Sequence, residues 1–197
     1  MESPRLLLSP CRCLTPRLLV LLLLCVLPAH SLFADAFSER RARVGLNLFR
    51  TFVGADMEIE KRVNQQGGLT IVLLYVDHNR EARQYLPQLQ QTLPDVHGLS
   101  VRIELLSLAQ LQQRSGSPAA VFVAEKLSDR ERTELVTYSV SRRIAVFSPF
   151  EGDVEGGILG GLSVAASVRP LVNMKTLHDS QVRLKHFYLS VARHYDE

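Results

Sequence analysis

The chain has 197 residues, 46% of them hydrophobic, with 23 Lys and Arg against 20 Asp and Glu. Setting aside residues 1–34, which hold Arg5, Arg12, Arg17 and Glu2, leaves 20 basic and 19 acidic side chains, a balance near +1 that argues against nucleic acid as a partner. All three cysteines, Cys11, Cys13 and Cys25, fall in that first segment, which removes cysteine nucleophiles, thiolate metal sites and redox pairs from the remainder.

Arg5, Arg12 and Arg17 form a positive n-region, residues 18–27 are an apolar run short for a bilayer span, and small residues follow at Ala29, Ser31, Ala34 and Ala36. This pattern predicts a secretory signal peptide over residues 1–34, cleaved after Ser31, Ala34 or Ala36. An uncleaved anchor extending to Phe33 is the alternative. The expected mature segment, 35–197, has no cysteine and must hold together by core burial alone. At about 160 residues a single domain buries roughly 70% of its unfolded surface, so one periplasmic domain is expected.

A first helix is predicted over residues 35–57, capped near Ser38 and ended near Gly54, because Val44, Leu48, Phe49 and Phe52 recur at helical spacing. The basic run Glu39-Arg40-Arg41-Ala42-Arg43 and the pair Arg142-Arg143 read as solvated faces. Residues 69–76, LTIVLLYV, are β-favouring or apolar without alternation between Gly67-Gly68 and Asp77-His78-Asn79, the pattern of a strand buried on both faces. A helix over 80–93 follows, with Ala82, Tyr85, Leu86, Leu89 and Leu93 on one face and Pro87 within it. The cycle repeats: a strand at 99–106, a short helical link at 107–113, a strand at 119–124, and an S-x-x-E capping box at Ser128 and Glu131 opening a helix over 129–141. A strand at 144–147 closes it. Strands and helices alternating at these intervals predict an α/β fold, a single three-layer αβα domain with a mostly parallel sheet.

The stretch 150–174, FEGDVEGGILGGLSVAASVRPLVNM, joins an acidic glycine loop to two strand-like runs and a helix start. Residues 158–164 and 168–172 are expected to pair as a hairpin, with Pro170 placing its strand at an edge and Asn173 capping a short helix. A final docked helix is predicted over 183–195 from Leu184, Phe187, Tyr188, Val191 and Tyr195.

Enzymatic patterns are absent or incomplete. Gly161-Leu162-Ser163-Val164-Ala165 lacks the last glycine of a nucleophile elbow and lies in a predicted strand. The glycines of 152–161 lack the Lys-Ser/Thr of a P-loop and the acidic residue of a dinucleotide fold. Asp153 and Glu155 are too few oxygens for calcium, so no metal, cofactor or catalytic residue is assigned and the chain is not expected to be an enzyme. Two places can bind. The glycine loop offers Phe150 and Ile158 as anchors, Gly156 and Gly157 for close backbone approach, and Glu151, Asp153 and Glu155 as a charged rim, although a glycine loop between strands is also an ordinary bulge or turn. Open α/β sheets bind ligands beyond the carboxyl ends of their strands, which singles out Asp77, His78 and Ser148 as a small-ligand crevice.

The first helix ending LNLFRTFV, the strand pair AAVFVA and IAVF, the loop with GGILGG, the Val172-Asn173 step and the closing RLKHFYLSVAR together resemble the YfiR-like family of periplasmic proteins. The match is sharpest at Gly156, Gly157 and Asn173. It departs at Lys185-His186 and in lacking disulfides. The resemblance implies a non-catalytic regulator that binds and represses the periplasmic sensing region of a membrane signalling protein, a diguanylate cyclase of cyclic di-GMP signalling or a histidine kinase, with the membrane reached only through that partner and a homodimer left open. The alternative, from another class, is a periplasmic small-ligand-binding component of a transporter or sensor kinase.

Overall fold

The computed structural model describes residues 29–77 and 79–196, with side chains from residue 39 onward. The chain divides into two compact units, Met1–Phe37 and Ser38–Glu197. Residues 1–28 of the expected leader lie outside the described residues; residues 29–37 are helical.

The elements of the second unit are helix α1 (Ala29–Ala55, its residues from Ser38 belonging to this unit), strand β1 (Leu69–Tyr75), α2 (Arg80–Thr92), β2 (Asp95–Val96), β3 (Leu99–Ser107), α3 (Leu108–Gln113) and β4 (Ala120–Val123). There follow α4 (Asp129–Arg142), β5 (Ala145–Ser148), β6 (Gly160–Val164), β7 (Val168–Asn173), α5 (Met174–Ser180), α6 (His186–Val191) and β8 (Arg193–Tyr195). The eight strands form one sheet in the order β2-β3-β1-β4-β5-β6-β7-β8. From β3 to β6 neighbours are parallel; β2–β3 and β6–β7 are antiparallel, and β7–β8 is parallel. This is the expected α/β class.

Strand β1 is interior and fully buried along Leu69–Leu74, as a run without polar alternation requires. Its alternate residues feed two cores. Leu69, Ile71 and Leu73 pack with Phe49 and Phe52 of α1, with Ala82, Tyr85 and Leu89 of α2, and with Tyr188 of α6. Val72 and Leu74 pack with Leu108 and Leu111 of α3 and with Leu135 and Tyr138 of α4. Helices therefore cover both faces of the sheet, giving three layers. Both α3 and α4 start on complete capping boxes, Ser107 with Gln110 and Ser128 with Glu131, each closing two otherwise orphaned helix-end donors.

Four expectations are corrected. Ser38 lies inside α1, which begins at Ala29, so the helix does not start there, although it ends at Ala55, beside Gly54 as expected. Arg41 is buried at 8% exposure, because its guanidinium spans from α1 to the carbonyls of Pro149 at 3.0 Å and Leu162 at 3.3 Å; that part of the basic run is a structural clamp and no solvated face. Pro170 is in β7, which is not the edge, since β8 pairs with it from Leu171 onward. The residue is still tolerated: the Asn173 N–H bonds the carbonyl of Leu159 on the β6 side, and strand alternation turns the Pro170 nitrogen away from β6, one residue short of the β8 ladder. The final helix is six residues long; the chain turns extended at Ala192 and adds β8. Leu184 and Tyr188 are buried, but Phe187 and Val191 are more than half exposed, so the apolar period overstated the helix.

Gly160, on β6, makes room for the core. A Cβ there would sit 2.7 Å from the Phe52 ring, which is fully buried. Gly160→Ala is expected to destabilise the fold by about 1–3 kcal/mol through overpacking, measured as a lowered urea midpoint at unchanged m-value; an unchanged midpoint would show that the ring has space to yield.

Candidate functional site

The carboxyl edge of the sheet is where a ligand was expected, and the structure fills it from within. Asp77, just beyond β1, is exposed. Its N–H and that of Val76 donate to Glu125 Oε2 at 3.1 and 2.8 Å, so a side chain from beyond β4 takes the amides at the end of β1. His78 lies outside the described residues. Ser148, at the end of β5, is fully buried and is separated from β1 by the whole of β4. Asp77 and Ser148 therefore do not share a crevice.

Ser148 belongs to the glycine loop. Its Oγ donates to Asp153 Oδ2 at 2.5 Å and accepts from the Phe150 N–H at 3.2 Å. The far side of the loop is held by Asn173, whose side chain caps α5 through the Thr176 N–H at 2.8 Å and donates to the Val154 carbonyl at 2.9 Å. Thr176 Oγ1 adds a bond to the Gly157 carbonyl at 2.8 Å.

This framework decides which loop residues can meet a partner. Ile158 is 1% exposed and packs in the second core with Leu135 and Val146, so it is no surface anchor. Asp153 is 1% exposed beneath Arg132, 3.6 Å from its Nη1, and is no rim residue. Phe150 is half-buried against the same core, while Glu151 and Glu155 are exposed. The glycines answer to α4: a Cβ on Gly156 would collide with the Arg132 guanidinium, and Gly157 holds φ of +109° against Val136. Phe150, Glu151 and Glu155 line a small cavity of about 90 Å³ together with Val164 from the hairpin tip.

A larger cavity of about 440 Å³ opens at the amino end of β1 and β3, lined among others by Arg62, Arg102, Arg114, Thr70, Asn64 and Glu104. Sequence reading missed it. Its arginines come from three separate segments of the chain, and the one local signal was Arg102 and Glu104 at alternate positions of β3. Arg62 Nε is held by the buried Asp56 at 2.9 Å, and Arg114 Nε by Glu104 at 3.1 Å. Among the described residues no group of three or more His, Cys, Asp or Glu side chains could hold a metal, and no helix is long and apolar enough to cross a membrane.

Burial pushes the Asp153 carboxyl above the ordinary range, against the opposing pull of Ser148 and Arg132. The folded state then binds that proton more tightly than the unfolded chain does. The associated stability is present below the unfolded value and lost as pH rises through the folded one. Glu58, bonded to Lys61, and Asp179, bonded to Lys175, are held below the ordinary range and act with the opposite sign. The difference between wild type and Asp153→Asn isolates the buried group: melting midpoints from pH 4 to 7 should show the wild type losing stability relative to the variant as pH rises. A difference independent of pH would contradict the assignment.

No family model and no curated protein matches the chain. Solved structures do resemble it. The ligand-free, open structure of CD0873, a substrate binding protein with adhesive properties from Clostridium difficile, is 14% identical with a TM-score of 0.51, covering 72% of this chain and 58% of that one. An ABC domain in complex with L-Trp from Streptococcus pneumonia is 12% identical with a TM-score of 0.49, over 72% of this chain and 61% of that one. A conserved domain protein from Vibrio cholerae is 12% identical with a TM-score of 0.48, over 74% and 60%. The chain thus spans about three-fifths of the length of these proteins, and the first of them shares its α/β fold.

Proposed function

We propose that this chain is a small-ligand-binding component of the cell envelope that works without turnover, feeding a transporter or a sensor kinase. The observation that carries it is the open cavity of about 440 Å³ on a fold shared with a substrate binding protein, a volume within the roughly 300–1,000 Å³ usual for small-molecule sites. A leader of the kind read at residues 1–34 would deliver the domain to the periplasm.

A second reading, the YfiR-like regulator that represses a diguanylate cyclase or a histidine kinase by contact, draws on a different observation. Glu151 and Glu155 are exposed beside half-buried Phe150, and the hairpin tip that shares their cavity exposes Val164 and Val168. An acidic rim around apolar residues suits a protein partner. In this reading Ile158 and Asp153 support the loop from beneath.

Thermal melting of the whole chain with small polar metabolites tests the first reading. A true ligand at 100 times its dissociation constant should add about 2.7 kcal/mol of stability. No stabilisation by any metabolite, together with loss of capture of a membrane signalling protein in a Glu151→Arg, Glu155→Arg variant, would move the assignment to the contact regulator.

A further inference from the structure

We propose that the cavity at the amino end of β1 and β3 binds a small hydrophilic oxyanion, a phosphate ester or a carboxylate, through Arg62, Arg102 and Arg114. This deepens the ligand-binding reading above and rests on it.

Three guanidiniums and one carboxylate, Glu104, line the cavity, and the buried Asp56 lies against Arg62, which leaves one positive charge in excess and favours an anion. Two of the three are positioned in advance. Arg62 is tied through Nε to Asp56, which is 1% exposed and also accepts the Glu58 N–H at 2.8 Å. Arg114 is tied through Nε to Glu104 and through Nη1 to the Gly116 carbonyl at 2.9 Å. A guanidinium fixed by one edge keeps further N–H donors in a plane that matches a carboxylate or phosphate. The Arg102 side chain has no hydrogen-bond or ion-pair partner among the described residues. It pairs across the ladder with Thr70, whose hydroxyl accepts from Asn64 at 3.1 Å. The remaining walls, Gln65, Gln66, Ser115 and Ser117, are hydrogen-bonding side chains, with Val63 the one large apolar residue. Such a lining disfavours an apolar ligand, whose burial would desolvate polar groups without return.

Calorimetric titration of the whole chain at low ionic strength, with inorganic phosphate in one arm and citrate in the other, tests this. Saturable binding is expected in at least one arm, and the arm identifies the source of the oxyanion. Arg102→Ala removes no internal contact and should leave the melting midpoint in place while weakening binding about tenfold or more. Arg102→Lys should retain part of it. Lys61→Ala, which removes a neighbouring exposed cation paired with Glu58 outside the cavity, should leave the affinity unchanged. No saturable binding in either arm, equal affinity in Arg102→Ala, or an equal loss in Lys61→Ala would overturn the proposal. A metabolite that stabilises wild type and Arg102→Ala alike would keep the ligand-binding reading and move its site elsewhere.

Discussion

Five rings under one face of the sheet set the geometry of the rest. Phe49 and Phe52 of α1 reach over β4 and β5, where Phe49 lies 5.3 Å from Phe122 edge-on and 5.8 Å from Phe147. Phe52 bridges Phe147 at 5.5 Å and Tyr188 at 5.7 Å. Each such pair contributes about 0.5–1.5 kcal/mol beyond area burial, and the cluster joins the first helix, the middle of the sheet and the returning tail. β6 can approach the cluster because Gly160 has no side chain there. The loop from Pro149 to Ile158 is thereby fixed at both ends, by β5 on one side and β6 on the other. Arg41 adds a clamp at Pro149 and Leu162. A loop so held can be rich in glycine and still have one shape.

What the sequence disclosed follows from how local each signal is. Residues 69–76 read as a strand buried on both faces because every residue there is apolar or β-favouring with no polar alternation, and Ser128 with Glu131 marked a helix start because a capping box is complete within four residues. Asn173 was legible for the same reason. The tail misled because Leu184 and Tyr188 are buried while Phe187 and Val191, at the same helical spacing, face solvent. Periodicity counts apolar residues and cannot say which meet a core, and β8 has only three residues, whose pairing with β7 is a tertiary fact. In the glycine loop, Glu151, Asp153 and Glu155 alternate as a rim would. Positive φ at Gly152 and Gly157 winds the chain so that the middle carboxylate turns inward. The arginine cavity needed residues 62, 102 and 114 brought together by the β1–β3 ladder, which no local pattern encodes.

The same register explains why the larger cavity opens at the amino edge. Open α/β sheets ordinarily leave backbone amides and polar side chains free beyond the carboxyl ends of their strands, and ligands take those groups. Here those at the ends of β1 and β5 are already taken: Glu125 accepts the amides after β1, and Asp153 receives the Ser148 hydroxyl after β5. A ligand arriving at that edge would have to displace a carboxylate from donors it already satisfies, gaining little in exchange. The amino edge is the converse case. Thr70, Arg102 and Glu104 occupy the strand positions that further along carry Val72, Leu74 and Leu106, so the second core stops one turn of strand early and leaves a polar floor. Neither α3 nor α4 covers that floor with apolar side chains, since Leu111 is the last buried residue of α3 before the chain leaves at Arg114. The cavity is the space between a hydrophobic core that ends and a loop that does not close over it, and its charge is what the sequence placed there in place of more core.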